Sequence, residues 1–184
     1  MSTRAVISEF SAAHQESRSC AFEVECWFDE LRQPVERYLK SLGLPQQDSE
    51  EVCQEVFLAL FEHLRQDRPR DNLRGWIFRV AHNLGLKRRQ RRITMVDMKT
   101  AAHPVDPSPN PEQAMVARQR QHLLWSVVHA LSQQDRSCLF LRTEGLRYRE
   151  ICEVLGMSLG AVAGSLARSL GKLANADARF TEGR

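Results

Sequence analysis

Cationic, amide and aromatic side chains are concentrated near the middle of the chain. Trp76 and Phe78 lie close to Arg79 and Asn83, and the run KRRQRR at 87–92 places five positive charges in six residues. Cations neutralise phosphates and aromatic rings stack on unpaired bases, so this set could bind a separated DNA strand. For Phe78 the favoured alternative is the hydrophobic core, because the residue three positions later, Ala81, is small and apolar. The basic run favours a polyanion partner, because adjacent cations repel one another in a helix.

A second cluster, at residues 146–173, has the pattern of a helix-turn-helix. Ile151 and Leu155 give a short helix one apolar face. Gly156 then permits a left-handed turn, and Ser158 can cap a second helix. The second helix has a repeating apolar stripe, Val162, Leu166, Leu170 and Leu173. Its other side could enter a DNA major groove, although two short helices with a glycine turn also occur in ordinary helical domains.

The composition limits the class of protein. The 184 residues are 42% hydrophobic, which suffices for one ordinary domain or two small helical ones. The formal net charge of +3 is too small to indicate a polyanion partner by itself, so the distribution of charge is more informative. No apolar run approaches the roughly 18 residues needed to span a bilayer, so we expect a cytoplasmic protein without membrane insertion.

The residues offer little for catalysis or metal binding. The five cysteines are odd in number and scattered, which is typical of reduced thiols in a helical core. His14, Cys20 and Cys26 lack the spacing of a metal site, and no group of His, Cys or carboxylate residues has catalytic spacing. We therefore expect no catalytic site, no metal and no cofactor.

Proline divides the chain into two parts. Four of the seven prolines fall in HPVDPSPNP at 103–111, where the fixed φ angles and missing N–H groups disfavour helix. No strand signal is sustained, so the predicted fold class is all-α, with two small helical domains joined by a Pro-rich linker. The predicted boundaries are an N-terminal tail at 1–19, a first domain at 20–95, a linker at 96–111, a second domain at 112–176 and a C-terminal tail at 177–184.

Three helices are predicted in the first domain. The first covers residues 20–42, with a kink at Pro34. The second begins at Asp48, whose carboxylate can cap it and form a capping box with Glu51. The third begins near Asn72. The buried stripe of the second helix is predicted to be Val52, Val56, Ala59 and Leu60. The third is predicted to pack through Trp76, Val80 and Leu84 and to expose Arg79, Asn83 and Lys87.

Four helices are predicted in the second domain. One covers about 111–131, and another begins at Ser132 and stops at Gly145. The two helices of the helix-turn-helix follow directly. Residues 175–184 are polar and are predicted to fray.

Two long segments together resemble a known family. DSEEVCQEVFLALFEHL, followed by NLRGWIFRVAHNLGLKRRQRR, is similar to region 2 of the bacterial RNA polymerase sigma factors of the extracytoplasmic-function class. ALSQQDRSCLFLRTEGLRYREICEVLGMSLGAVAGSLARSLGKL is similar to their region 4. The resemblance covers roughly residues 20–176 in the family's order. Two long motifs in order are far more specific than one helix-turn-helix.

The resemblance implies a non-enzymatic subunit that binds core RNA polymerase, directs it to promoter DNA and nucleates DNA opening, and that an anti-sigma factor can hold inactive. The residues implied to bind core polymerase are Asp48, Gln54, Glu55 and Leu58. Those implied to bind the −10 element are Trp76, Arg79, Asn83, Lys87, Arg88 and Arg91, with the loop 66–72 matching a base-capturing segment. Those implied to bind the −35 element are Ser158, Gly160, Ala163, Gly164, Ser165, Arg168 and Lys172.

The recognition helix departs from the family pattern. Ala163, Gly164 and Ser165 stand where family members usually carry Lys, Ser and Arg. Arg168 and Lys172 are then the remaining cations of that helix. We expect the small residues to allow close approach to DNA. The alternative is a sigma-like polymerase-binding regulator with weakened −35 recognition.

Overall fold

The computed structural model describes the backbone of residues 3–95 and 113–182 and the side chains of residues 19–92 and 118–181. These residues form seven helices and no strand, as the predicted all-α class requires. The helices are α1 (Thr3–Ser41), α2 (Gln46–Arg65), α3 (Leu73–Met95), α4 (Gln113–His129), α5 (Gln133–Thr143), α6 (Tyr148–Leu155) and α7 (Leu159–Glu182). The predicted linker at 96–111 lies outside the described residues.

The start of α2 differs from the prediction. Pro45 precedes the helix and provides no side-chain cap, and α2 begins at Gln46. Asp48 is therefore inside the first turn, where the helix dipole favours a carboxylate. The predicted capping box of Asp48 with Glu51 is wrong, because both carboxylates instead bind Arg88 of α3. In the predicted stripe, Val52, Val56 and Leu60 are buried and Ala59 is half-buried.

The packed face of α3 is displaced from the predicted one. Asn72 caps the helix, since its Oδ1 accepts the Gly75 N–H at 3.1 Å. The fully buried side chains are Ile77, Phe78 and Ala81, so the core position expected for Phe78 is confirmed. The predicted face of Trp76, Val80 and Leu84 is half-buried and flanks this core.

Two helices extend beyond their predicted ends. α1 begins at Thr3 and continues through Pro34, although residues 1–19 were expected to form a tail. α7 continues to Glu182, although fraying was expected from residue 175. A bidentate ion pair joins the end of α7 to α4, with Arg120 Nε and Nη2 donating to the Asp177 carboxylate at 2.5 and 2.7 Å.

The turns of the second half form as predicted. Ser132 Oγ accepts the Asp135 N–H at 3.1 Å at the start of α5. Gly156 is left-handed, with φ of 66°, and ends α6. Ser158 Oγ accepts the Ala161 N–H at 3.2 Å and caps α7. The apolar stripe of α7 is shorter than predicted: Val162 and Leu166 are buried, Leu173 is half-buried and Leu170 is 56% exposed.

The two halves pack against one another and share a hydrophobic core. α1 contacts α5, and α3 contacts α6. Polar bonds surround this apolar contact. Arg37 Nη2 donates to Glu144 Oε1 at 3.0 Å, and Arg74 Nη1 donates to the Glu144 carbonyl at 2.6 Å. Arg79 Nη2 donates to Glu153 Oε2 at 2.9 Å. The helix-turn-helix therefore rests on the helix that carries the basic run.

None of the described helices is by itself long and apolar enough to cross a membrane. Only α6 and α7 taken together meet the length and composition requirements, and that pair is bent by 104°.

Candidate nucleic-acid interface

The exposed face of α2 combines acidic, amide and apolar groups. Gln54 and Glu55 are exposed, and Leu58 is 65% exposed, which is unusual for a leucine in a packed helix. An open groove between α2 and α3 is lined by Leu58 on one side and Trp76 on the other. The structure thus brings a residue predicted to bind polymerase next to one predicted to bind the −10 element.

Trp76 is held by a contact that the sequence pattern did not reveal. Its ring is tilted against His63 of α2, with centroids 4.5 Å apart and planes at 41°. His63 Nε2 in turn hydrogen-bonds the Pro69 carbonyl at 2.9 Å. Trp76 is therefore half-buried and connected through His63 to the loop at 66–72. This arrangement fixes an indole face at the edge of the groove.

Arg88 belongs to an ion-pair cluster and is not a freely exposed cation. Its Nη1 is 3.2 Å from Asp48 Oδ1 and 2.7 Å from Glu51 Oε2, and its Nη2 is 2.9 Å from Glu55 Oε1. The hydrogen bond from Arg88 lowers the pKa of Glu51. Arg92 Nη1 adds a further ion pair to Asp48 Oδ2 at 2.9 Å. The predicted DNA contact of Arg88 conflicts with this geometry, because Arg88 neutralises the acidic face of α2.

The basic run is thus divided among different partners. Arg89 Nη1 donates to the Leu42 carbonyl at 3.1 Å and to Gln133 of the second half. Lys87 and Arg91 are exposed, as is Asn83 one turn earlier. The adjacent cations predicted a polyanion partner. Carboxylates and a carbonyl of the same chain bind some of these cations instead. Arg79, Asn83, Lys87 and Arg91 are the exposed residues among those predicted to bind the −10 element, although Arg79 is paired with Glu153.

Among the residues predicted to bind the −35 element, only Ser165 is buried. Ser158, Gly160, Arg168 and Lys172 are exposed, and Ala163 and Gly164 are half-buried. The predicted contact of Ser165 with DNA is wrong, because Ser165 is completely buried and its Oγ donates to Asp135 Oδ1 at 2.6 Å. The apolar and small residues next to Ser165 in the sequence do not show which way its side chain points. The packing of α5 against α7 does.

Asp135 was missed by the sequence reasoning. It is only 7% exposed, and its Oδ1 also accepts from Arg168 Nη2 at 2.9 Å. Burial by itself raises the pKa of the Asp135 carboxyl. Hydrogen bonds from Ser165, Ser132 and Arg168 together outweigh the burial, so the pKa is held below its ordinary value. The sequence gives little indication that Asp135, four residues after Leu131, is buried and paired, because its partners lie 30 and 33 residues away.

Comparisons with known proteins agree with the two halves of the structure. Residues 27–93 match Sigma-70 region 2, and residues 121–173 match Sigma-70 region 4. The RNA polymerase sigma factor CnrH of Cupriavidus metallidurans is 30% identical over 144 residues, which cover 73% of this chain and 75% of the relative. The chain belongs to the sigma-70 family, in its extracytoplasmic-function class.

Other sigma factors are similar over comparable lengths. The extracytoplasmic-function sigma factor SigE of Mycolicibacterium smegmatis is 31% identical over 149 residues, covering 77% of this chain and 58% of the relative. A structure of CnrH with the cytosolic domain of CnrY aligns with a TM-score of 0.57 at 24% identity, covering 89% of this chain and 92% of that chain. The sigma factor RpoE of Bartonella quintana, bound to the anti-sigma factor NepR, aligns with a TM-score of 0.60 at 16% identity, covering 83% and 96%. These two structures support the fold.

The family assignment confirms the expected function at the level of the class. Sigma factors are regulatory, non-catalytic proteins that direct RNA polymerase to promoters. The region 2 match contains every residue assigned to polymerase and to the −10 element. The region 4 match contains every residue assigned to the −35 element.

Proposed function

We propose that this sigma factor binds core RNA polymerase through the exposed face of α2 and engages promoter DNA with α3 and α7. Leu58 carries the proposal for α2. A leucine that is 65% exposed beside Gln54 and Glu55 offers an apolar anchor with polar neighbours, which matches the apolar centre and polar rim of a protein interface. The groove beside Leu58 continues to Trp76, so polymerase and the opened DNA strand would meet at this edge.

The DNA contacts in region 2 are proposed to centre on the accessible side of α3. Asn83 supplies amide donors and acceptors, and Lys87 and Arg91 supply cations. Trp76 supplies an aromatic face on which an unpaired base can stack. Arg79 is proposed to join them once it leaves Glu153, and Arg88 is proposed to support α2 instead of binding DNA.

The −35 contacts are proposed to lie on α7. Ser158 and Gly160 are at its exposed start, where recognition helices approach base edges. Ala163 and Gly164 have small side chains that permit close approach, and Arg168 and Lys172 provide charge. We further propose a cytoplasmic location, and an anti-sigma factor as regulator because the similar sigma factor RpoE is bound to the anti-sigma factor NepR.

The proposal is tested by transcription with purified core polymerase on a library of genomic promoter fragments. The wild-type chain should co-purify with core polymerase and give discrete start sites. Leu58→Arg should abolish both activities, because a cation in a desolvated apolar contact is strongly unfavourable. Since Leu58 faces solvent in the free chain, this variant should retain the wild-type melting temperature.

Phe22→Arg provides a matched control. Phe22 is 69% exposed on α1, so the substitution makes the same change outside the proposed surface and should leave transcription intact. Co-purification of Leu58→Arg at wild-type yield would contradict the α2 assignment. Polymerase binding by the wild-type chain without any discrete start site would instead favour the polymerase-binding regulator.

A further inference from the structure

Arg168 is oriented by a residue of another helix. One nitrogen, Nη2, donates to Asp135 Oδ1 at 2.9 Å, yet the Arg168 side chain remains 61% exposed. A guanidinium has five N–H donors in a rigid plane, so one edge can be held while the other stays available to a ligand. Arg168 is therefore a cation whose direction is set before any ligand arrives.

The Asp135 carboxylate is itself firmly placed. It lies in the first turn of α5, where the helix dipole favours negative charge, and its own N–H is bound by Ser132 Oγ. The same Oδ1 that holds Arg168 accepts a 2.6 Å hydrogen bond from the buried Ser165 Oγ. Asp135 thus joins the start of α5 to α7 through two contacts of different kinds, one buried and one at the surface.

Gly164 leaves space for the Arg168 side chain. A Cβ at this position would lie 3.4 Å from Arg168 Nη1, so the guanidinium passes over the glycine on its way to Asp135. A longer side chain at 164 would occupy that space. The small residues of this helix therefore have a packing role in addition to any close approach to DNA.

We propose that Asp135 is a positioning residue for −35 recognition, which orients the Arg168 guanidinium toward acceptors on the DNA. This inference depends on the proposed function, because it assumes that α7 faces the −35 element. The acceptors are either the O6 and N7 atoms of a guanine or the oxygens of a phosphate, since both accept two parallel N–H bonds. Asp135 does not touch DNA itself.

The direction in which Asp135→Asn changes the affinity for promoter DNA distinguishes positioning from simple electrostatics. If charge alone mattered, removal of a carboxylate should tighten binding to DNA. If Asp135 positions Arg168, its neutralisation should weaken promoter binding about two- to tenfold, the cost of immobilising one long side chain at binding. Asp177→Asn is the control, because Asp177 also forms an ion pair between α7 and another helix, with Arg120, and its neutralisation should not weaken binding.

The measurement is the dissociation constant of the polymerase-bound full-length chain on promoter fragments with every single substitution in the −35 element. Ser165→Ala removes one of the contacts that place Asp135 but leaves the Arg168 pair, so it should weaken binding less than Asp135→Asn does. Arg168→Ala combined with Asp135→Asn should be no weaker than Arg168→Ala alone. Weakening at one base pair would identify guanine as the acceptor, and uniform weakening would identify phosphate.

Several outcomes would overturn the inference. Equal affinity of Asp135→Asn and Asp177→Asn would do so. Weakening by Ser165→Ala as large as that by Asp135→Asn would make the role structural. If Asp135→Asn lowers the melting temperature, Arg168→Lys provides the test, because it keeps the charge on an exposed side chain. This variant should still weaken binding to promoter DNA. Wild-type affinity of Arg168→Lys would overturn the proposal. Discrete start sites without any −35 dependence would refute this inference alone, whereas absence of start sites would refute the proposed function.

Discussion

At the scale of single residues, neighbouring cations of α3 have different surroundings. Arg88 is 25% exposed and is surrounded by Asp48, Glu51 and Glu55, whereas Lys87 beside it is exposed. A network of one guanidinium with three carboxylates stabilises the α2–α3 contact more than an isolated surface pair does. Charge in the sequence therefore does not indicate by itself which cations are available to DNA.

Arg88→Ala should lower the free energy of unfolding by about 1–2 kcal/mol, and Lys87→Ala by less than about 0.5 kcal/mol. Urea denaturation measures both, and the effect of Arg88→Ala should shrink in high salt because its pairs are only partly shielded from solvent. Promoter opening should show the reverse order: Lys87→Ala should reduce permanganate reactivity of unpaired thymines in the polymerase complex. Equal stability of the two variants would contradict the division of roles.

At the scale of helices, α1 and α3 meet through a buried polar contact. His82 Nδ1 and Tyr38 Oη are 2.8 Å apart, and the Tyr38 side chain is fully buried at the junction with α5. Burial, and to a smaller extent the charge of Arg89, lowers the pKa of His82 below its ordinary value of 6.5. Burial also raises the pKa of Tyr38, so its hydroxyl stays protonated.

This contact predicts a loss of stability in mild acid. The unfolded chain takes up a proton at His82 near pH 6.5, whereas the folded chain resists it until lower pH. The stability from neutral His82 is therefore complete above pH 6.5 and is lost as the pH falls from there toward the folded pKa. His82→Asn retains a hydrogen-bonding group without this titration, so its free energy of unfolding should depend less on pH between 8 and 5.5. An unchanged pH dependence in urea denaturation would contradict the prediction.

The order of the helices was predictable, but several of their faces were not. Caps and turns depend on neighbouring residues, so Ser132, Gly156 and Ser158 identify helix ends in the sequence as they do in the structure. The packed face of α3 and the burial of Ser165 depend on helices distant in sequence. For the same reason the sequence pattern indicated the region of the proposed DNA interface but not the ion pairs of Arg88 or the burial of Asp135.

At the scale of the whole molecule, the packing of the two halves conflicts with simultaneous binding to both promoter elements. The −10 and −35 elements are separated by about 25 base pairs, which at roughly 3.4 Å each is about 85 Å. Yet Arg79, assigned to the −10 element, contacts Glu153 of the helix-turn-helix at 2.9 Å. If each half binds its proposed element, the halves must separate first. Glu153 is then paired with a cation that is proposed to bind DNA.

Removal of the Glu153 charge should therefore favour DNA binding by the free chain. Both members of the pair are about half exposed, so the pair is worth at most about 1 kcal/mol, and Glu153→Gln should bind a single-stranded −10 oligonucleotide up to about fivefold more tightly. Asp177→Asn removes one charge at the far end of α7 and is the control for a general change in electrostatics. In the polymerase complex, where we expect the halves to be separated, Glu153→Gln should bind like the wild type. Equal affinity of the two free variants in fluorescence anisotropy would show that Glu153 does not compete with DNA for Arg79.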